Sequence, residues 1–220
     1  MNGLTSFAQQ PPKFDEEFQA HFANLIAWRR DVRRFIEKPV PEQLINHILD
    51  MVQLAPSVGN SQPWRWVSIS KKASRQALRE NFKKCNSEAL ANYKGEAAQL
   101  YASLKLEGLD KAPLQFAIFC DHATPQGSGL GSQTMPETLD FSVSGMISTF
   151  WLYARAFGLG VGWVSILNPE EIKATLKVPD TWKLIAVLCV GWPEEEHIDP
   201  EMERCGWQYR TEAGRIVLER

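Results

Sequence analysis

Two predominantly apolar runs constrain the fold more than any other feature of this chain: residues 114–120, interrupted only by Gln115, and residues 184–190. Neither run alternates with polar residues, as a strand with one face in water would, so we interpret both as buried strands. Shorter strand patterns begin at Trp64 and at Gly160, and a last one covers Ile216, Val217 and Leu218.

Helical patterns occupy much of the remaining sequence. Apolar residues recur at helical spacing at Phe18, Phe22, Leu25 and Ile26, and again at Leu44, Ile45, Ile48, Leu49 and Val52. Pro41 suits the first turn of the second helix, and Pro56 stops it. Asn168 and Pro169 predict the start of another helix.

The longest helical pattern runs from Thr134 to about Phe157. Thr134 and Glu137 have the spacing of a capping box, Pro136 suits the first turn, and Gly158 is a typical C-terminal cap. Apolar residues on most sides predict that this helix is buried. A stripe of small residues would let a flat ligand, or a second copy of the helix across a dimer axis, come close; it consists of Ser142, Gly145 and Thr149.

The ends and the middle of the chain are less clearly patterned. Residues 71–108 are helical but charged, so residues 71–110 are either a lid over a site or a solvated helical pair. The polar residues 1–14 are predicted to be flexible, and the tail, about residues 195–220, to wrap a partner subunit. Since neither a repeat nor a linker divides the chain, we expect one domain over residues 1–220.

The composition excludes several classes of protein. A net charge of −2 predicts binding neither to nucleic acid nor to membranes. The N-terminus lacks a signal-peptide pattern and no apolar run could span a bilayer, so we expect a cytoplasmic protein. The four cysteines are widely spaced, with no CxxC pair, and the four histidines are scattered, so no metal site is predicted.

The strongest indication of chemistry is the segment Trp28-Arg29-Arg30-Asp31-Val32-Arg33-Arg34-Phe35. Its four arginines offer forked donors that match phosphate oxygens, so the segment is a candidate phosphate cradle. An acid there would repel a phosphate. Asp31 either pairs with the neighbouring arginines or carries out proton chemistry beside the group that they hold.

Two further segments are candidates for ligand binding. The polar loop of residues 55–64 is either simple turn chemistry or a source of hydrogen bonds to a heteroaromatic ring. The glycines at the entrance of residues 160–167 permit close approach by a ligand. They do not form a dinucleotide fingerprint, because they follow a helix rather than open one.

Residues 29–35, 55–64 and 160–167 together resemble the nitroreductase-fold flavoproteins. The third segment, with residues 111–116 and 133–138, is similar to the branch of that superfamily that consumes its own flavin. The resemblance covers roughly residues 20–210. It implies an α+β fold with a central mixed or antiparallel sheet wrapped by helices. It also implies an intertwined homodimer with FMN at the subunit interface.

The resemblance assigns roles to individual binding residues. The FMN phosphate and ribityl chain would be held by the motif arginines, with a late basic residue reaching the phosphate: Arg29, Arg30, Arg33, Arg34 and Arg204. Ser57 and Gln62 match the loop that contacts the isoalloxazine ring, and Gly162 lies in the strand that a flavin would approach.

Asp31 and Ser165 match the two residues that set the flavin-consuming branch apart; general nitroreductases usually carry Ser in place of Asp31. The implied reaction uses reduced FMN and molecular oxygen, and yields 5,6-dimethylbenzimidazole, the lower base of cobalamin, and erythrose 4-phosphate. Asp31 would be the general base, Ser165 would position an intermediate or relay a proton, and a separate reductase would supply reduced flavin. Two alternatives remain: an NAD(P)H-dependent nitroreductase or enone reductase, and a flavin-binding module without chemistry.

Overall fold

The computed structural model describes residues 10–104 and 108–220. Most of the segment predicted to be flexible, and residues 105–107 of the predicted lid, lie outside these ranges. The helices are α1 (Glu16–Trp28), α2 (Glu42–Val52), α3 (Lys72–Leu90), α4 (Gly95–Ser103), α5 (Gly108–Lys111), α6 (Thr138–Ala156), α7 (Pro169–Leu176) and α8 (Glu201–Arg204). The strands are β1 (Phe35–Ile36), β2 (Trp64–Ser68), β3 (Leu114–Asp121), β4 (Gly160–Val164) and β5 (Trp182–Pro193).

The long strand β5 organises the sheet. Along one edge it pairs with β3, which in turn pairs with β2. Along its other edge it pairs with β4 and, at its C-terminal end, with β1. All of these pairings are antiparallel, whereas a single parallel bridge joins Asp31 to Val161 of β4. The sheet therefore brings the arginine segment alongside β4.

Helices cover both faces of this sheet, because alternate side chains of the central strands point to opposite sides. Phe116, Ile118 and Cys120 belong to the core beneath α2 and α6. Ala117 and Phe119, on the opposite face of β3, belong to a second core with residues of α3, α5 and α7. This explains why residues 114–120 are apolar on both faces except at Gln115, which is buried and donates to the carbonyl of Leu109 at 2.8 Å. The α+β class with an antiparallel sheet is confirmed.

Several sequence predictions about individual elements are confirmed. Both apolar runs are strands, and α1 and α2 form where the apolar spacing predicted them. The side chain of Asn168 caps α7 by accepting from the backbone N–H groups of Glu170 and Glu171, each at 3.1 Å. Gly158 ends α6 with φ +77°, as its capping role requires.

Two predictions are wrong. α6 begins at Thr138 rather than Thr134, since the Thr134 hydroxyl instead donates to the carbonyl of Gly131 at 3.1 Å and continues the preceding turn. Residues 216–218 form no strand; they lie exposed, with no neighbouring strand in the described chain to pair with. Among the described residues, no helix combines the length and apolar character needed to cross a bilayer.

Candidate active site

Asp31 is placed by β4 rather than by its own neighbours in sequence. The backbone N–H of Val32 donates to the carbonyl of Val161 at 3.0 Å, which docks the arginine segment on the strand. The backbone N–H of Trp163 then donates to Oδ1 of Asp31 at 2.9 Å. One carboxylate oxygen is thereby held, while the other points towards Arg33.

Two glycines of β4 make this docking possible. A Cβ atom at Gly162 would lie 2.2 Å from the carbonyl oxygen of Val32. A Cβ atom at Gly160 would lie 2.7 Å from Cγ2 of the Val32 side chain. Any side chain there would push the arginine segment away from β4. Gly162, expected from the resemblance to face a flavin, is packed in this structure against the protein's own backbone.

The environment of Asp31 raises its affinity for a proton. Burial in the body of the protein raises the pKa of Asp31, and the Trp163 N–H and Arg33 oppose that rise only in part. The carboxylate still keeps 38% of its side-chain surface open. A carboxylate with raised proton affinity and an open face is suited to act as a general base.

Arg33 lies between two carboxylates. Its Nε is 3.4 Å from Oδ2 of Asp31 and 3.8 Å from Oε2 of Glu201. Its Nη2 faces the sulfur of Met202 at 3.8 Å. Nη1 is buried and finds no acceptor among the described residues. A buried charged donor without an acceptor is costly, so this nitrogen marks a position where a ligand oxygen would stabilise the site.

These groups line a cavity of about 250 Å³, which we call the arginine cavity. Its walls are Arg29, Arg30, Asp31, Arg33, Pro200, Glu201, Met202 and Arg210. Four arginines and two carboxylates give these walls a formal charge of +2 when all are ionised. The arginine cavity therefore favours an anion.

Arg29 and Arg30 are held by α6 and by the tail. The Arg29 guanidinium lies 5.0 Å from the ring centre of Trp151, within the range of a cation–π contact. The Trp151 indole N–H donates to the carbonyl of Arg30 at 3.1 Å. Arg30 itself donates from Nε to the carbonyl of Ile198 at 2.6 Å. Trp151 and Ile198 thus fix the first half of the arginine segment.

Arg34 and Arg204 do not line the arginine cavity; both line a smaller cavity that shares several of its residues. Arg34 pairs with Glu195 and, through Nη1 at 3.3 Å, with Oε1 of Glu201. Arg204 donates to the carbonyl of Asp199 at 2.8 Å and lies 4.0 Å from Glu195. Both have protein partners, so they are less available to a ligand than Arg33.

Ser57, Gln62 and Ser165, the other predicted site residues, do not line the arginine cavity. The Ser57 hydroxyl accepts from the backbone N–H of Gln62 at 3.0 Å, which closes the polar loop on itself. Neither residue lines the arginine cavity. Ser165 is exposed directly after β4, two residues beyond Trp163, and its hydroxyl has no hydrogen bond with a described residue.

One group of possible metal ligands occurs in the described chain. Ligand atoms of Cys120, His122 and Asp140 lie within 4.8 Å of one another. Asp140 already bonds His122 and Lys183, at 2.8 and 2.7 Å. Burial raises the pKa of the Cys120 thiol to about 12, which disfavours a thiolate ligand. We assign no metal to this group, and the absence of a metal remains a prediction.

Sequence reasoning missed several members of the site. Glu201 and Met202 come from α8, and Trp151 comes from α6. The Trp163 contribution is a backbone N–H, which every residue except proline carries, so no sequence signal could reveal it. An acidic pair around Met202 in the otherwise weakly patterned tail was the one available indication of Glu201.

Comparison with known proteins defines the class. The pattern of the Nitroreductase family matches residues 26–192. The fold is similar to that of iodotyrosine deiodinase bound to FMN and 3-iodo-L-tyrosine, with a TM-score of 0.68 and 20% identity over 80% of this chain and 91% of that one. A nitroreductase-like protein from Streptococcus mutans gives 0.67, with 18% identity over 92% of this chain and 99% of that one. The chain belongs to the nitroreductase family.

Within that family, the chain is similar to 5,6-dimethylbenzimidazole synthases. It is 53% identical to the synthase of Rhodospirillum rubrum over 90% of this chain and 94% of that protein. It is 40% identical to a synthase of Rhodobacter capsulatus over 89% of this chain and 94% of that protein. These identities extend well beyond the short motifs of the site.

Proposed function

We propose that this protein is a 5,6-dimethylbenzimidazole synthase, which uses molecular oxygen to fragment reduced FMN into 5,6-dimethylbenzimidazole and erythrose 4-phosphate, with the remaining pyrimidine part of the ring released as a separate fragment. The similarity to synthases of that name supports the reaction. The observation that carries the proposal is Asp31, a carboxylate of raised pKa in an arginine-lined cavity. A reductase that recycles its flavin has no evident use for such a base.

The arginine cavity fits the phosphate end of FMN. A phosphate monoester carries about −1.5 to −2 charges at neutral pH, which matches the +2 of the walls. The unpaired Nη1 of Arg33 supplies a donor for one of its oxygens. The volume of about 250 Å³ is below the ~300–1,000 Å³ of sites that enclose a whole ligand. It therefore suits the ribityl phosphate, with the ring held elsewhere.

When bound, the reduced flavin supplies the electrons that oxygen takes up and the ring atoms that become the benzimidazole. Asp31 acts as the general base at the ribityl carbon attached to the ring. The Trp163 N–H fixes Oδ1, so Oδ2 is the oxygen that receives the proton. Ser165, exposed near the end of β4, positions the oxidised ring or relays a proton. A separate reductase supplies the reduced flavin.

We also propose a homodimer with the flavin at its interface. In the described chain, α1 has no buried residue, and Phe18, Phe22 and Ile26 along it are 45–50% exposed. Phe141 of α6 is 60% exposed beside the open position of Gly145. Because α1 packs against α6, these exposed apolar side chains lie on two neighbouring helices, as is typical of an obligate interface. A second subunit would also explain why Ser57 and Gln62 lie apart from the arginine cavity.

The main alternative is an NAD(P)H-dependent nitroreductase. It is favoured by more distant relatives, including one of Thermus thermophilus named NADH dehydrogenase, 29% identical over 76% of this chain and 84% of that protein. Such an enzyme would return its FMN intact and would not need Asp31. A flavin-binding module without chemistry would need the arginines alone.

An aerobic incubation with chemically reduced FMN separates these functions. The synthase converts FMN to dimethylbenzimidazole and erythrose 4-phosphate, both identifiable by mass spectrometry, whereas recovery of intact oxidised FMN would contradict it. Asp31→Asn is the matched variant. We expect it to bind FMN but to form product about 10²–10⁴-fold more slowly, the range for a lost acid–base group. Normal yield from FMN-loaded Asp31→Asn would remove Asp31 from the mechanism.

A further inference from the structure

A chain of alternating charges joins the tail to Asp31. Glu195 pairs with Arg34, Arg34 with Glu201, Glu201 with Arg33, and Arg33 with Asp31. Its central acid, Glu201, opens α8 and is only 17% exposed. Both of its carboxylate oxygens face an arginine of the motif, since Oε1 lies 3.3 Å from Arg34 and Oε2 lies 3.8 Å from Arg33.

The Arg33 guanidinium is shared between the carboxylates of Asp31 and Glu201. Its Nε is 3.4 Å from Asp31 and 3.8 Å from Glu201, and neither contact is a short ion pair. A guanidinium with Asp31 as its sole carboxylate partner would close on it and form stronger, charge-assisted bonds. Such a pair would hold Asp31 in its ionised form and weaken it as a base.

We infer that Glu201 is a positioning residue of the proposed reaction, which draws Arg33 away from Asp31 and so preserves the basicity of Asp31. This inference rests on the proposed function. The inference adds Glu201, a residue of the C-terminal tail, to the proposed site. Glu201 meets Arg33 only because the folded chain brings the tail back to the arginine segment. Met202, next in sequence, also contacts Arg33, so α8 faces this one guanidinium with two successive side chains.

The groups that face Asp31 predict how its titration depends on Glu201. Burial raises its pKa, the Trp163 N–H and Arg33 lower it, and Glu201 raises it. On β5, the Cys189 thiol stays neutral, because burial raises its pKa to about 12. The remaining charged groups of the arginine cavity are Arg29, Arg30 and Arg210. Removing the Glu201 charge and tightening the Arg33 contact both act to lower the Asp31 pKa.

Glu201→Gln tests this inference, with Glu194→Gln as the matched control. Glu194 lies on the same tail, is exposed, and has no side-chain ion pair with a described residue. The Asp31 carboxyl is followed by carbon-13 NMR in protein free of flavin, with its signal assigned by loss in Asp31→Asn. We expect Glu201→Gln to lower the Asp31 pKa relative to wild type and Glu201→Asp to lower it by less. Glu194→Gln should leave the Asp31 pKa unchanged.

Product formation gives a second readout. In Glu201→Gln we expect FMN to bind and product formation to fall about 3- to 30-fold, less than the ~10²–10⁴-fold loss of an acid–base group. The acid limb of the pH profile of Glu201→Gln should move to lower pH.

An unchanged Asp31 titration in Glu201→Gln would overturn the inference, even if activity fell. If wild-type protein forms no product, the proposed function fails, while the NMR titration still decides whether Glu201 controls Asp31. Should Glu201→Gln not fold, Glu201→Asp carries the comparison, because its shorter side chain reaches Arg33 less well. An Asp31 pKa equal to that of wild type in Glu201→Asp would then overturn the inference.

Discussion

The backbone N–H of Trp163 donates a 2.9 Å hydrogen bond to Oδ1 of Asp31, across 132 positions of sequence. This bond shows that Asp31 is not positioned by its arginines alone, which supports the proposal that it is placed for chemistry. The nearest arginine contact, to Arg33, is longer at 3.4 Å. Asp31 is therefore oriented chiefly by β4, and its second oxygen faces the arginine cavity.

The raised pKa of Asp31 predicts a pH-dependent cost in stability. Above the folded-state pKa, the folded protein holds an ionised carboxylate that it disfavours; below the ordinary value of 3.8, both states are protonated and the cost disappears. Asp31→Asn should therefore be more stable than wild type at pH 8, with the difference shrinking towards pH 4. Urea unfolding at several pH values measures this. Asp50→Asn, at an exposed position of α2, controls for loss of a charge, and an Asp31→Asn protein less stable at pH 8 would contradict the prediction.

Arg33 should recognise the phosphate of FMN through its unpaired Nη1. Arg33→Ala should weaken FMN binding by about 1.5–3 kcal/mol, the range for hydrogen bonds to charged groups, and riboflavin binding by less. Arg29→Ala should act in the same direction. Arg79→Ala, which removes an arginine paired with Asp110 outside the arginine cavity, is the control. Equal losses for FMN and riboflavin, measured by fluorescence titration, would show that Arg33 does not bind the phosphate.

Gly162 should tolerate no side chain. The Cβ atom of Gly162→Ala would lie 2.2 Å from the Val32 carbonyl oxygen, so β4 and the arginine segment must separate. We expect a loss of about 3 kcal/mol in the free energy of unfolding, at the upper end of overpacking costs, together with loss of product formation. Gly214→Ala, where the new atom meets nothing within 4 Å, should change stability by less than about 0.5 kcal/mol. Wild-type stability of Gly162→Ala would show that this approach is not tight.

The exposed side of α6 around Phe141 should be a dimer interface. Phe141→Glu places a charge at a side chain that is 60% exposed in the single chain, and burying that charge would be costly. Sedimentation should show a dimer for wild type at micromolar concentration and a monomer for the variant. Ala73→Glu, at an exposed position of α3 on the opposite face of the sheet, should remain dimeric. A monomeric, active wild type would refute the proposal.

Local patterns determined much of the fold. The predominantly apolar runs form β3 and β5, and the helical spacings form α1 and α2. Burial of a strand, or of one face of a helix, shows in the pattern of neighbouring residues. The Thr134 capping box was wrong for the same reason. Its hydroxyl had a competing acceptor, Gly131, and sequence spacing does not show which of two nearby turns a side chain joins.

The sequence by itself also determined that Asp31 and the arginines form one group, since they lie together in the chain. Only the tertiary structure decided which of them are engaged and what surrounds them. Pairing with β4 places the Trp163 N–H against Asp31. The absence of side chains at Gly160 and Gly162 lets the arginine segment pack on β4. α8 brings Glu201 to Arg33. These contacts join residues more than a hundred positions apart, and their strength depends on distance and burial, which sequence spacing does not encode.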